Sequence, residues 1–244
     1  MSEPAETVLL LTNDDGVDAP GMHALRQAAE GLGRCRVIAP SGPISGCGHQ
    51  VTTHQPIEIV PRDDGTLAVK GSPADCVRLA IHEFEPELQW VFSGINAGGN
   101  LGTDTYNSGT VAAAREAAIR GLPAIAISHY IARGRLIDWP RAALWAGRVL
   151  RMLMSQRPVP GTFWNVNLPH PAPGSPEPEI VICPLDPSPL PLDYRLDGNF
   201  ALYTGDYQKR ARRPGADVAV CFEGHIAVTL ISLIDSQRDG RPGQ

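Results

Sequence analysis

The amino-acid sequence predicts an α/β fold, a mostly parallel sheet with helices on both faces, followed by a less regular C-terminal part that holds a β-hairpin. Three observations predict it. The apolar runs are short and lack polar alternation, as strands covered on both faces require. They alternate with stretches whose apolar residues recur at helical spacing, the strand–helix–strand order of a right-handed crossover. Several of them end in polar, glycine-rich loops, where open parallel sheets place ligands.

Residues 7–11 (TVLLL) are the first such run and lead through Thr12 into Asn13-Asp14-Asp15-Gly16. Residues 21–30 set Met22, Leu25, Ala28 and Ala29 at helical spacing; Gly31 and Gly33 stop that helix, and 35–39 (CRVIA) is the second strand. A loop rich in glycine and serine fills 40–52. After a strand at 67–70, Ser72-Pro73-Ala74-Asp75 reads as a capping box with proline at the first helical position, opening a helix to about residue 84. A buried strand at 90–93 empties into the glycine-rich 94–102 loop; a helix follows over 108–120, ended by Gly121, and 124–128 (AIAIS) is a further strand. Past residue 135 the pattern predicts an amphipathic helix at 139–155 and strands at 163–168 and 180–183. Proline-rich connections occupy 169–178 and 184–191, and the arms 218–222 and 225–231 resemble a hairpin across Glu223-Gly224.

Composition narrows the function classes. With 43% hydrophobic and 19% charged residues the chain is globular rather than disordered. A net charge of −5 argues against generic binding to a nucleic-acid duplex, which needs a basic face. Five cysteines without C-x-x-C spacing point to reduced thiols in a cytoplasm rather than to a disulfide frame or a zinc site. The start, MSEPAETVLLL, lacks a basic segment and a long apolar core, so no signal peptide is expected, and no apolar run has the length of a membrane span.

Three strand-end segments can carry chemistry: Asn13-Asp14-Asp15-Gly16, the loop around Ser45-Gly46, and the loop holding Asn96 and Asn100 with the helix start at Ser108-Gly109-Thr110. Adjacent carboxylates repel unless a cation or proton neutralises them, and hard oxygen donors favour Mg²⁺, Mn²⁺ or Ca²⁺; the plainer reading of Asp14-Asp15 is a polar turn. Ser45 between glycines is a flexible loop or a close approach to a ligand. An asparagine carbonyl such as that of Asn96 can ligate a hard cation, and its amide can donate to phosphate, although turn formation is its commoner use. Ser108 is a helix cap or part of an anion site. His49 follows Ser45 closely and is either structural or catalytic. Residues 209–213 (KRARR) read as a solvated loop or an attractor of phosphates.

Together these segments resemble the survival protein E (SurE) family of metal-dependent 5′/3′-nucleotidases. The resemblance rests on LLTNDDGVDAPG, VIAP followed by Ser45-Gly46, GSPADCV and VFSGINAGGNLG with NSGTVAAA, and more weakly on WNVNLP and ADVAVCFEGHIAVTL. It implies a Rossmann-like core at 1–135 and an appended subdomain at 136–244 that contributes to a homodimer or homotetramer. It implies one divalent cation per subunit on Asp14, Asp15, Ser45 and Asn96, with Asn13, Gly46, Asn100 and Ser108 lining the phosphate pocket. Asp14, Asp15 and Asn96 would be the catalytic residues. Unlike the family, Ser41-Gly42-Pro43-Ile44 carries no charge, the tyrosine before the SGT triplet is Asn107 with Tyr106 adjacent, and the chain ends soon after Ile234, short of a terminal helix that many relatives exchange.

The implied activity is hydrolysis of nucleoside monophosphates, with attack by a water acidified on the cation and charge on the equatorial oxygens stabilised by Asn96, Asn100 and the helix start. The alternatives are a phosphatase with Asp14 as covalent nucleophile, a receiver-like signalling module, and a catalytically silent relative that binds metal or nucleotide.

Overall fold

The computed structural model describes residues 6–156 and 159–233. The signal-peptide reading of the first residues therefore lies partly, and the reading of the segment after Ile234 wholly, outside the described residues.

Eleven strands and five α-helices are described. In chain order they are β1 (Val8–Thr12), α1 (Pro20–Ala28), β2 (Arg34–Pro40), β3 (Ile59–Pro61), β4 (Leu67–Val69), α2 (Pro73–Leu79), β5 (Trp90–Ala97), α3 (Gly109–Ile119), β6 (Ala124–His129), α4 (Trp139–Met154), β7 (Thr162–Leu168), β8 (Ile180–Ile182), β9 (Tyr194–Asp197), β10 (Phe200–Tyr203), α5 (Asp217–Phe222) and β11 (Ile226–Ser232). Nine strands form one sheet in the order β3-β4-β2-β1-β5-β6-β7-β11-β8, and β9 and β10 pair separately. The run β4-β2-β1-β5-β6-β7 is parallel throughout; β3 and β11 enter antiparallel, against β4 and β7.

The missing alternation in the strands has a direct cause. In β1, Leu9 and Leu11 pack with Met22, Leu25, Val149 and Leu153 beneath α1 and α4. Val8 and Leu10 face the other way, into a cluster with Cys76, Val77, Val111 and Ala117 from α2 and α3. Alternate side chains of a strand point to opposite faces, and both faces here are covered. The alanines of α3 let that helix lie close on the sheet. Gly94 marks a close approach within the sheet: its φ is +143°, and a β-carbon there would stand 2.2 Å from the Ile127 carbonyl oxygen.

The capping box forms as the sequence predicts. Ser72 accepts the Asp75 N–H, Asp75 accepts the Ser72 N–H, and Pro73 opens α2. The regular helix stops earlier than expected, at Leu79, and continues as a widened π-helical turn over Ala80–Phe84 that closes with the Glu85 N–H on the Ala80 carbonyl.

Two expectations change. The arm at 218–222 is helical: α5 begins at Asp217, whose buried carboxylate accepts the N–H groups of Gly102, Asp186 and Val218. An apolar run this short has no period to choose strand over helix, and Val218 and Cys221 are buried in a third cluster with Leu101 and Tyr130. The other arm is β11, which pairs with β7 and β8. The hairpin instead joins β9 to β10 across Gly198-Asn199, with Gly198 at φ +56°. The sheet also crosses residue 135, since β7 pairs in parallel with β6 over Ile125–Trp164 through His129–Leu168. Among the described residues, no helix is long and apolar enough to cross a membrane.

Asp75 ties two segments together, because its carboxylate also accepts the N–H and hydroxyl of Thr52, each at 2.8 Å. Asp75→Ala strips three donors of their acceptor and is expected to lower stability by about 2–4 kcal/mol, read as a lower urea midpoint at unchanged slope.

Candidate active site

The chain leaves β1 toward β2 on one side and β5 toward β6 on the other, so the order of the parallel strands reverses between β1 and β5. A crevice beyond the carboxyl ends of the strands opens at such a reversal. The Asn13–Gly16 turn and Asn96 stand there, because Thr12 pairs with Ser93 across the two strands.

Asn13 shapes the turn. Its side-chain amide donates to the Gly16 carbonyl at 2.8 Å and its side-chain oxygen accepts the Gly16 N–H at 3.2 Å, with the residue fully buried. The carboxamide is thus committed to the backbone, and the bend it locks sets Asp14 and Asp15 at the rim.

Asp14 is only 5% exposed. The Thr110 hydroxyl donates to its Oδ1. α3 begins so close that a β-carbon on Gly109 would stand 2.8 Å from Asp14 Cβ and 2.9 Å from its Oδ2, so only glycine fits. Burial pushes the Asp14 carboxyl above its ordinary range; the Thr110 bond opposes this and the neighbouring Asp15 charge adds to it. Asp15 is less buried, and its Oδ2 accepts the N–H of Ala97, next to Asn96, at 3.0 Å. Asn96 donates its side-chain amide to the Gly98 carbonyl at 2.8 Å, which leaves its Oδ1 without a partner among the described residues.

Ser45 reaches the same rim from the irregular 41–52 segment. The Ile44 N–H donates to the Asp14 carbonyl at 2.8 Å, and Gly48 donates to the Asn107 carbonyl at 3.2 Å. Ser45 and Gly46 between these anchors are exposed. Ser108 caps α3, its hydroxyl oxygen accepting the Val111 N–H at 3.1 Å. Asn100 is buried behind the rim. Its side-chain amide donates to Ser128 Oγ at 2.7 Å, its N–H donates to Asn167 Oδ1 at 2.8 Å, and its carbonyl accepts from Asn165 and Asn167. That network braces the 96–102 loop against β6 and β7.

The structure therefore gathers Asp14, Asp15, Asn96, the Ser45 segment and Ser108 at one rim, with Asn13 and Asn100 as the supports beneath. Sequence reasoning missed the roles of Thr110, Gly109, the Ala97 N–H and the Asn165/Asn167 pair. Only the last had a local signal, two asparagines two apart in an otherwise apolar strand and hence on one face. Of residues 209–213, Arg210 turns inward to pair with Asp104 at 2.6 Å.

Neither Asp14 nor Asp15 pairs with a Lys, Arg or His among the described residues. Nor, among them, does any group of three His, Cys, Asp or Glu gather as metal ligands. A cation here would meet two carboxylates with a hydroxyl and an amide carbonyl, an all-oxygen set suited to Mg²⁺, Mn²⁺ or Ca²⁺. The unneutralised pair and the free Asn96 Oδ1 fit such an ion.

The family described as Survival protein SurE matches residues 9–186. A protein of Nostoc sp. is 53% identical over 225 residues, covering 92% of this chain and 99% of its own. The 5′-nucleotidase SurE of Geotalea uraniireducens is 36% identical over 240 residues, covering 92% of each chain. The crystal structure of the SurE protein from Aquifex aeolicus superposes with a TM-score of 0.82 at 30% identity, over 94% of this chain and 95% of that one.

The raised carboxyl makes a signed prediction. The folded state holds the Asp14 proton more tightly than the unfolded chain does, so stability without cation falls as pH rises from the ordinary aspartate range through the raised value. Asp14→Asn removes the charge and keeps an oxygen for Thr110. In chelator it should melt above the parent at neutral pH, and the gap should close as the pH falls into the aspartate range.

Proposed function

The chain belongs to the SurE family, and from that premise we propose that it is a phosphomonoesterase, dependent on one divalent cation per subunit, that hydrolyses nucleoside 5′- and 3′-monophosphates to nucleoside and phosphate. The observation that carries the proposal is the buried carboxylate beside a second one at the strand reversal, with no cationic side chain among the described residues to neutralise either.

Asp14, Asp15, Ser45 and Asn96 would hold the cation. When bound it would neutralise the pair, polarise a phosphoryl oxygen and acidify the attacking water. Asp14, fastened by Thr110 and enclosed by Gly109, is the fixed anchor. Asp15 has one oxygen on the Ala97 N–H and keeps Oδ1 to take the proton from water as its oxygen attacks phosphorus. The ester bond then breaks, the leaving nucleoside oxygen receives a proton from solvent, and Asp15 returns its proton to solvent. Ser108 accepts from Val111 through its oxygen and so retains its hydroxyl proton for a phosphoryl oxygen, near the positive end of α3. The Asn165–Asn167–Asn100 network holds the 96–102 loop in place during the change of charge.

The proposal places the chain in the cytoplasm, consistent with its five free cysteines. It assigns residues 136–244 to assembly as a homodimer or homotetramer. The β9–β10 hairpin supports that assignment, since Leu196 and Phe200 are 75% and 80% exposed and a face so apolar calls for cover. Phe200→Asp should shift the sedimentation coefficient toward the monomer without changing the fold; an unchanged coefficient counts against assembly through this hairpin.

The catalytic proposal is tested by phosphate release from a panel of nucleoside monophosphates with Mg²⁺, Mn²⁺ or chelator. Release with metal, none in chelator and a loss of about a hundredfold or more in Asp14→Asn are expected. Equal rates in chelator overturn the cation, a fully active Asp14→Asn overturns the site, and silence toward every nucleotide leaves a binding protein.

A further inference from the structure

Ser45 is the one proposed ligand that stands on neither a strand nor a helix nor the turn that follows a strand directly. Its segment, 41–52, holds Gly42, Gly46 and Gly48, and the last two have φ of +71° and +57°. Glycines loosen such a segment in its free state, so holding it in one place requires bonds to the body of the protein. Backbone bonds supply some: Ser41 to Val69 and Ile44 to Asp14, both at 2.8 Å, and Gly48 to Asn107 at 3.2 Å. Farther on, the Gln50 carbonyl accepts the Ser72 hydroxyl at 2.6 Å.

Within 41–49, one side chain bonds outside the segment among the described residues. His49 Nε2 lies 2.8 Å from Glu116 Oε2. Glu116 stands on α3, about two turns beyond Gly109, with its side chain 4% exposed. Its other oxygen accepts Arg120 Nε at 2.9 Å and lies 3.8 Å from Arg78 Nε. Burial alone would raise the Glu116 carboxyl, but the bonds from His49 and Arg120 outweigh it and hold the group below its ordinary range. Glu116 is therefore a seated anion, fixed from two sides along the helix whose first turn encloses Asp14.

We propose that His49 is a positioning residue for the cation site. Its bond to Glu116 fastens the Ser45 segment to α3, and α3 in turn fixes Asp14 through Gly109 and Thr110. The two halves of the donor set thus share one rigid element, and the Ser45 segment is tied to it before a cation arrives. His49 touches none of the reacting atoms. This inference rests on the cation reading above and adds the residue that preorganises it.

Mn²⁺ binding to the full chain, followed by electron paramagnetic resonance, tests it alongside the melting temperature and kcat at saturating Mn²⁺. His49→Ala should raise the Mn²⁺ Kd by about ten- to a hundredfold, with kcat at saturating metal close to that of the parent. His49→Gln, whose side-chain N–H can still donate to Glu116, should recover most of the affinity. An unchanged Kd in His49→Ala overturns the inference, whether or not the melting temperature falls, because a purely structural tether would move only the latter. Loss of kcat at saturating metal with unchanged Kd overturns it too and makes His49 catalytic. A parent chain that binds no Mn²⁺, and so does not differ from Asp14→Asn, overturns the cation reading itself and this inference with it.

Discussion

Two adjacent carboxylates that no basic side chain among the described residues neutralises are the constraint around which this molecule is arranged. Asp14 and Asp15 leave the end of β1 together, and what surrounds them is neutral: the Thr110 hydroxyl, the Ala97 N–H and the start of α3. Dipoles of this kind do not offset the whole burden: burial first, and the Asp15 charge after it, still drive the Asp14 carboxyl upward. A positive ion bound there would offset the pair and, under the proposed function, leave the site close enough to neutral to admit a phosphate dianion. The strand order supplies the location, because β1 and β5 are neighbours whose connections depart to opposite sides.

The donors around that pair differ in how firmly they are held. Asp14 is walled in by a helix, and Asn96 ends a central strand whose following loop is braced by Asn100, Asn165 and Asn167. Asp15 is more open, with one oxygen on the Ala97 N–H. Ser45 stands on an irregular segment whose order depends on separate hydrogen bonds and on His49. Precision at this rim is thus uneven, built into the scaffold on three sides and conferred by contacts far apart in sequence on the fourth.

What could be read from the sequence follows the same division. The strands of the parallel core were legible because burial on both faces removes polar alternation, and the α2 cap was legible because Ser72 and Asp75 act on each other within one turn. Asp14, Asp15, Asn96 and Ser108 were legible as candidates because they sit where strands end or a helix begins. The arm at 218–222 misled because five apolar residues carry no period, and its helix is set by Asp217 and by burial beside Leu101 and Tyr130. The Gly198-Asn199 turn was a fair hairpin signal, but it follows a proline-rich stretch that hid its arms. The bonds of Glu116 to His49 and of Thr110 to Asp14 join residues 67 and 96 positions apart, and no local pattern announces them.

The continuity of the sheet past residue 135 bears on how the polypeptide can be divided. β6 is an interior strand only because β7 lies along it for five residue pairs, and β7 in turn is flanked by β11 from near the other end of the chain. A fragment stopping at 135 would present the Ala124–His129 backbone as a bare, apolar rim with unsatisfied N–H and C=O groups, open to strand-by-strand growth onto further molecules. The N-terminal half holds most of the candidate site, yet it is the later strands that close off its side and keep it a discrete particle.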